Sequence, residues 1–232
     1  NSAKLAKDGD ALHVIPGPAV TYWNPANKAS GDYTVKATFK EPKYMNLNDH
    51  PHPYGLVIAG NDLGTDQQSY LYCAAYGNGN FIVRGFGPAP FQMNGPHGSA
   101  DPAVNKAAGV GEPVTQEIAI SVRGEKVECA INNKVVASYD KSTLVTPGKL
   151  KSTDGVYGIR FAHNTEALVT GLTITKPLAL RNALRTGAIS NEWAWHSRSG
   201  GQQGRRRERD RARRSDRRPF DHHRHLWHRL AI

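Results

Sequence analysis

Short segments in which apolar and polar residues alternate follow one another through the first three quarters of the chain. They are rich in β-branched and aromatic residues, and clusters of Gly, Pro, Asn and Asp separate them. Many short strands at such spacing are typical of a β-sandwich or barrel, whereas no segment here has a persuasive period of 3.6 residues. The predicted strands span residues 11–15, 19–23, 32–39, 54–60, 69–76, 81–86, 117–123, 126–131, 134–139, 156–163 and 167–175.

The segment 117–140 predicts a three-stranded meander. A two-residue turn at 124–125 fixes the first register, and the predicted pairs are Val122 with Val127, Ile120 with Cys129 and Ile118 with Ile131. A second turn at 132–133 places Cys129 opposite Val136. One face of the meander is then apolar and the other charged, so a slip by one residue would bury charges. We therefore expect the apolar positions from Ile118 to Val136 to line one dry interior between two layers.

Residues 69–86 predict a second hairpin, with a four-residue loop at 77–80. In this register Cys73 lies opposite Arg84, and the side chains of Tyr72 and Arg84 point to opposite faces. Apolar residues occur on both faces, which indicates a central strand pair that is covered on one side and lines a groove on the other. Since an unpaired buried cation is costly, we expect Arg84 to face the groove. The segment 87–112, rich in Gly, Pro and Ala, is predicted to be a loop that borders it.

The positive charge of the chain is concentrated at its end. Residues 1–176 contain 13 Lys, 3 Arg and 15 acidic residues, a net charge of +1 within the total of +10. Residues 177–232 contain 14 Arg, no Lys and 5 acidic residues. The net positive charge of the whole chain therefore gives no information about which partner the folded part binds. No apolar run approaches the roughly 18 residues of a transmembrane helix, so no membrane span is predicted.

The end of the chain differs in composition from the rest. We expect residues 177–204 to form a linker and residues 205–232 an Arg/His-rich tail that is disordered or non-native. Three interpretations stay open: a basic arm that binds nucleic acid or an anionic surface, a solvated disordered extension, or the out-of-frame translation of GC-rich DNA. Nucleic acid is a partner only if the arm is genuine. The tail histidines could hold a metal adventitiously, without an assigned role; they are His222, His223, His225 and His228.

Five segments, 31–40, 54–63, 70–86, 131–136 and 155–175, together resemble the concanavalin A-like lectin/glucanase superfamily, particularly its laminin-G-like and 3-keto-disaccharide-hydrolase-like branches. The resemblance covers about three quarters of the chain. It implies an all-β fold, a concanavalin A-like jelly-roll sandwich of two antiparallel sheets over residues 1–176. That superfamily includes lectins, hydrolases and adhesion modules alike, so the resemblance implies a fold more specifically than an activity.

Carboxylates help to separate these activities. Glucanases of the superfamily share the run E-x-D-x-x-E, which projects carboxylates into the groove for acid and nucleophile chemistry, and this chain has no such run. The sequence therefore favours a non-catalytic carbohydrate-recognition domain of a secreted or periplasmic protein. One alternative is a glycoside-processing hydrolase of the 3-keto-disaccharide type, in which Arg84, His163 and an acid such as Asp62 would converge. The other is a structural or adhesion module.

Sugar binding needs an aromatic face for stacking, surrounded by planar hydrogen-bonding groups. Core packing is the competing explanation for the tyrosines. The candidate carbohydrate-binding residues are Arg84, Tyr72, His52, Asn61, His163, Asn164 and, as an edge aromatic, Trp23.

Two metal sites are further hypotheses. Asp62 and Asp66 follow a predicted strand and could bind Ca²⁺ through carboxylate oxygens, although a turn cap explains them equally well. The second hypothesis concerns two histidines that flank a proline in an extended stretch and so point the same way. They are His50 and His52, with His97 or His163 as a third ligand.

The two cysteines, Cys73 and Cys129, both lie in predicted strands. Their spacing excludes a paired Cys-x-x-Cys zinc motif. They form either one disulfide in an oxidising compartment or two small buried hydrophobes. The chain begins with Asn and has no charged-then-apolar leader, so we expect a processed product or a fragment. We expect the protein to be extracellular or periplasmic and monomeric, and to bind a glycan or polysaccharide.

Overall fold

A computed structural model of the chain describes residues 3–15, 17–47 and 50–177. The predictions for the Arg/His-rich tail and for most of the linker lie outside these residues. The strands are, in chain order, β1 (Lys4–Asp8), β2 (Ala11–Ile15), β3 (Val20–Ala29), β4 (Tyr33–Glu41), β5 (Asn46–Leu47), β6 (His50–Pro51), β7 (Tyr54–Asn61), β8 (Ser69–Ala75), β9 (Asn80–Phe86), β10 (Pro90–Gln92), β11 (Ser99–Ala100), β12 (Val114–Arg123), β13 (Lys126–Ile131), β14 (Lys134–Asp140), β15 (Gly155–Phe161) and β16 (Ala167–Thr175).

These strands form two antiparallel sheets, which confirms the predicted all-β sandwich. The first sheet has the order β1-β2-β16-β4-β12-β13-β14. The second has the order β10-β9-β8-β7-β15-β3, with β11 beside β9, while β5 and β6 pair with each other. One short helix, α1 (Lys141–Leu144), interrupts the strands. Within the described residues, no helix is both long and apolar enough to cross a membrane.

Alternate residues of facing strands fill the space between the sheets. The predicted one-sided burial is confirmed for β12 and β13, whose core-facing apolar residues are at most 3% exposed; they are Ile118, Ile120, Val122, Val127, Cys129 and Ile131. It does not extend fully to β14, where Val136 packs against the core but is only partly buried. Opposite them, the second sheet contributes the fully buried Leu56, Ile58 and Ile159. At one end of this core the rings of Phe39, Tyr54 and Phe161 pack on one another, with centroids 5.6 to 6.2 Å apart.

The first hairpin of the meander has the predicted register, and the second does not. β12 pairs with β13 as expected across the turn at 124–125. In the hairpin of β13 and β14, Ile131 pairs with Lys134, but a bulge between Cys129 and Ala130 sets Cys129 opposite Ala137. The predicted partner Val136 is therefore wrong, because a bulge inserts one extra residue into one strand.

The register predicted for the hairpin of β8 and β9 is wrong by one residue. Tyr72 pairs with Arg84 and Cys73 with Val83. The loop has three residues, 77–79, because the N–H of Tyr76 donates to the carbonyl of Asn80 at 2.9 Å. Gly79 has a φ of +92°, and three-residue hairpin loops favour a positive φ at their last residue. The correction reverses the faces of β9 and places Tyr72 and Arg84 on the same face.

A disulfide joins the two sheets. Cys73 of β8 and Cys129 of β13 are bonded, with their Cα atoms 6.1 Å apart and a sequence separation of 56. Of the two alternatives left open by the sequence, the structure has the disulfide. The segment 87–112, predicted to be a loop, contains the short strands β10 and β11, and β1 was not predicted at all.

Candidate site on the outer face of the second sheet

The central strands of the second sheet are buried on both faces. One set of their side chains packs against the first sheet, and the other set forms a separate apolar cluster with Leu63, Tyr76 and Phe86 at its margin. We call the face that points away from the first sheet the outer face. Its buried members are Val57, Tyr70, Tyr72, Ala74 and Ile82. A second buried apolar cluster on an outer face requires side chains that cover it, and two arginines contribute to that cover.

Arg160 of β15 lies across two aromatic rings of this face. Its guanidinium carbon is 5.5 Å from the ring centroids of both Tyr72 and Phe86. One of its N–H groups donates to the hydroxyl of Thr21 at 2.7 Å. Gly55 of β7 stands beside Arg160 in the ladder, so no side chain there obstructs the arginine. The contact of a guanidinium with aromatic faces is a cation–π interaction, which holds the side chain flat on the sheet.

Arg84 of β9 is the second cation of this face. It stands directly opposite Tyr72 in the β8–β9 ladder, and opposite residues of a ladder share a face. Its Nε atom is buried and has no hydrogen-bond partner among the described residues. Neither Arg84 nor Arg160 forms an ion pair with a described carboxylate. We call the set Tyr70, Tyr72, Arg84, Phe86 and Arg160 the arginine–aromatic cluster.

The hydroxyls of Tyr72 and Tyr76 remain protonated at neutral pH. Burial raises the pKa of Tyr72, and the nearby guanidinium groups of Arg160 and Arg84 oppose that rise. Burial raises the pKa of Tyr76 to about 12. A protonated tyrosine can both donate and accept a hydrogen bond, so these hydroxyls suit a ligand that carries hydroxyl groups.

Trp23 lies at the edge of the same face. It stands opposite Gly158 in the ladder between β3 and β15, and the residues on either side of Gly158 point into the core. The indole ring also approaches Gly64 of the loop after β7, where an added Cβ would lie 3.9 Å from the ring. From Trp23 to Arg84 the face crosses five strands, which is about 19 Å at the usual strand spacing. That width suits an extended ligand.

The strands of the second sheet contain no carboxylate. None of β3, β7, β8, β9, β10, β11 and β15 has an Asp or a Glu. Two carboxylates of the bordering loops already have partners, because Asp62 pairs with Lys151 at 2.5 Å and Asp154 accepts from the N–H of Gly31 at 2.9 Å. The outer face of the second sheet is therefore aromatic and cationic.

The outer face of the first sheet has a different character. It bears a shallow cavity of about 270 Å³ with no aromatic residue in its lining, which mixes charges and small residues. Lys36 and Glu117 form an ion pair there at 3.2 Å, and the hydroxyls of Thr34 and Ser121 are bonded at 2.8 Å. These four polar side chains satisfy one another and the cavity offers no aromatic ring, so we place the candidate site on the second sheet.

The predicted site residues His52 and His163 come together, but at one end of the sandwich. Their Nε2 atoms are 2.7 Å apart. His52 is 6% exposed, whereas His163 is exposed. They extend the β7–β15 ladder beyond Tyr54 and Phe161, which are partners. Asn164, the next residue, is exposed in a turn with a φ of +57°.

Asn61 and Asp62 lie at the other end of β7. The side-chain amide of Asn61 donates to the carbonyls of Ala59 at 3.0 Å and Asp154 at 2.9 Å. The eight residues of β7 span roughly 23 Å at 3.3 Å per step. Asp62 and His163 therefore lie beyond opposite ends of this strand, so the structure does not bring Asp62 together with His163 and Arg84, as the hydrolase alternative with Asp62 as its acid requires.

The described residues contain no group of three His, Cys, Asp or Glu side chains that could hold a metal ion. Asp62, half of the predicted calcium pair with Asp66, makes its ion pair with Lys151 instead. His97 is exposed in the loop between β10 and β11. The side chain of His50 lies outside the described part of the chain.

Glu41 is a functional candidate that the sequence analysis missed. It ends β4 and is 2% exposed, and its Oε2 atom has no hydrogen-bond partner among the described residues. Its Oε1 atom accepts from the N–H of Met45 at 3.4 Å. Burial raises its pKa to about 7, and the hydrogen bond from Met45 only partly opposes this. The signal was present in the sequence, since Glu41 continues the alternate, core-facing positions of Val35, Ala37 and Phe39.

A scan against protein-family models finds no match for this chain, and a search of curated proteins finds none either. Solved structures do match. The carbohydrate binding module CBM66 from Bacillus subtilis is 11% identical over 75% of this chain and 91% of that chain, with a TM-score of 0.51. A protein of unknown function with a galectin-like fold, also from Bacillus subtilis, is 14% identical over 75% of this chain and 86% of that chain, with a TM-score of 0.55. These similarities establish a shared sandwich fold.

Proposed function

We propose that this chain binds carbohydrate through the outer face of the second sheet. The observation that carries the proposal is the arginine–aromatic cluster, in which rings and guanidinium groups lie together on one partly open face. Sugars present C–H groups that stack on aromatic rings, and hydroxyls that bond to planar donors. Such hydrogen-bonding groups come from Arg84, whose buried Nε has no partner within the described part of the chain, and from the protonated hydroxyl of Tyr72.

The scaffold is compatible with this function. One protein that shares the sandwich fold is a carbohydrate binding module, and the structural similarity extends over 91% of that module. Because fold and function are separable, the proposal depends on the composition of the outer face and not on the similarity.

Binding without turnover is the form of the function that we propose. Glycoside hydrolysis ordinarily uses two carboxyl groups that flank the scissile bond. The strands below the arginine–aromatic cluster contain no Asp or Glu, and Asp62 at the border is paired with Lys151. A sugar on this face would therefore meet hydrogen-bond donors and rings, with no acid or nucleophile from the sheet below it.

An extracellular or periplasmic location is part of the proposal. The disulfide between Cys73 and Cys129 supports it, because disulfides persist in oxidising compartments and are rare in the cytosol.

A glycan array probed with the full chain tests the proposal, followed by calorimetric titration of the saccharides that bind. The decisive comparison uses two neighbouring aromatic residues of β3. Trp23 lies on the outer face, whereas Tyr22 stands opposite the core residue Ile159 and is 44% exposed at the sheet edge. We expect Trp23→Ala to weaken binding at least tenfold and Tyr22→Ala to leave it within twofold.

Two results would refute the proposal. One is the absence of binding to any saccharide. The other is a loss of affinity in Tyr22→Ala that equals the loss in Trp23→Ala, since this would place the ligand elsewhere. Release of reducing sugar from a bound oligosaccharide would instead show that the chain is a hydrolase.

A further inference from the structure

Two of the three arginines in residues 1–176, Arg84 and Arg160, lie on the outer face of the second sheet. The third, Arg123, ends β12 in the first sheet. Arginine is therefore concentrated on the face where the rings are, while the strands of that sheet contain no carboxylate. From this placement we propose that the preferred ligand is an anionic saccharide, one with a carboxylate or sulfate group. This inference rests on the proposed function.

The first argument is the state of the two guanidinium groups. Neither makes an ion pair with a described carboxylate, and the buried Nε of Arg84 has no hydrogen-bond partner among residues 3–15, 17–47 and 50–177. A buried donor without a partner is unfavourable. An anionic oxygen at this position would satisfy the donor and balance the charge at the same time.

The second argument is the orientation of the cations. The ring faces of Tyr72 and Phe86 fix the Arg160 guanidinium from below, and Thr21 accepts one of its N–H groups. A guanidinium has five N–H donors in a fixed fork, so further donors remain for a ligand. The fork matches the two oxygens of a carboxylate or sulfate, which is why arginine is favoured over lysine where such groups are bound.

The third argument is the context of neutral polar groups. Sugar hydroxyls need donors and acceptors without charge, and the hydroxyls of Tyr70, Tyr72, Tyr76 and Thr21 lie on or beside the same face. The hydroxyl oxygens of Thr21 and Tyr70 are 3.5 Å apart. Such a face can hold both the acidic group and the hydroxyls of one saccharide, whereas a bare anion would use only the arginines.

The test compares saccharides that differ only in charge, using the full chain in 150 mM NaCl. For the carboxylate the probes are trigalacturonate and its methyl ester. For the sulfate they are a carrageenan oligosaccharide and its chemically desulfated form. We expect the charged member of at least one pair to bind at least tenfold more tightly than its neutral counterpart, and the pair that shows this identifies the anionic group.

The variants separate this face from the other positive charges of the chain. Arg84→Gln and Arg160→Gln should each weaken the charged probe at least tenfold and the neutral probe by a clearly smaller factor, so that the ratio of the two affinities falls. Arg123→Gln removes the same charge from the first sheet and should change neither. Arg160→Lys, which keeps the charge and loses the planar fork, should still lose several-fold in affinity. Near-ultraviolet circular dichroism checks the packing of each variant, and Arg84→Gln carries the test if Arg160→Gln is misfolded.

The outcomes of this inference and of the proposed function are distinguishable. Equal affinity for charged and neutral probes, with binding still sensitive to Trp23→Ala, would overturn the anionic ligand and leave carbohydrate binding intact. A charge preference that falls equally in Arg123→Gln would also overturn it, because the preference would then come from diffuse positive charge. Binding of none of the four probes, together with an empty array, would overturn both.

Discussion

The buried carboxyl of Glu41 makes a prediction about the pH dependence of stability. The side chain is 2% exposed, beside Tyr44 and Gly77, and the ring of Tyr54 belongs to the same end of the core. Its pKa is raised from the ordinary value of 4.5 to about 7, chiefly by burial. The folded protein therefore keeps a proton on Glu41 over a range of pH in which the unfolded chain has released it.

The sign and size of the effect follow from that difference. Between pH 4.5 and about 7 the folded state binds more protons than the unfolded state, so stability falls as pH rises through this window. The change in pKa corresponds to about 3 kcal/mol at about 1.4 kcal/mol per pH unit. Below pH 4.5 the carboxyl is neutral in both states and the penalty disappears.

Glu41→Gln removes the ionisable group and keeps its shape. We expect the variant to be about as stable as the wild type near pH 4.5 and about 3 kcal/mol more stable at pH 8. Urea denaturation of both proteins at intervals from pH 4.5 to 8 measures the difference, in which all other titrating groups cancel. The control is Glu117→Gln, because Glu117 lies in the neighbouring strand with an ion pair to Lys36 near the surface, and such pairs are worth at most about 1 kcal/mol.

A difference between wild type and Glu41→Gln that stays constant over this pH range would refute the reasoning. So would a difference that grows toward low pH, because it would mean that the folded state stabilises the charged form of Glu41.

Two further predictions concern the frame of the sandwich. Cys73→Ala combined with Cys129→Ala should lower the free energy of unfolding by about 4 kcal/mol, since the bond closes a loop of 56 residues and so restricts the unfolded chain; urea denaturation measures this, and an unchanged midpoint would contradict it. Gly55→Ala should cost about 3 kcal/mol or more, because its Cβ would lie 2.0 Å from the carbonyl oxygen of Cys73 and the strands would have to separate. Gly148→Ala is the control, with nothing within 4 Å of the added carbon, and equal losses in the two variants would show that the close approach is not the cause.

The parts of the fold that the sequence predicted are those where one face is apolar and the other charged. The β12–β13 hairpin is such a case, since its two-residue turn and its one-sided burial demand the same register. β8 and β9 are buried on both faces, so the pattern permits either register and only the loop can decide between them. The positive φ of Gly79 closes that loop one residue earlier than predicted, and this shift determines that Arg84 shares a face with Tyr72.

The candidate site shows the same limit. The sequence predicted Arg84, Tyr72 and Trp23, because their residue types suit sugar binding, and all three lie on the outer face. Whether they bind sugar stays a prediction. Arg160 was not selected, since its contacts with Tyr72, Phe86 and Thr21 join strands that are far apart in the chain. His52 and Asn61 were grouped with them by residue type, although β7 separates the two by its whole length.

The disulfide lies directly beneath the arginine–aromatic cluster. Cys73 and Tyr72 are neighbours in β8 and point to opposite faces, so the covalent bond anchors the floor of the face to the opposite sheet. The two layers cannot shear past each other at this point. The floor of the face is ordered when the disulfide forms during folding, so binding a ligand does not carry the entropic cost of ordering it. Such preorganisation increases affinity.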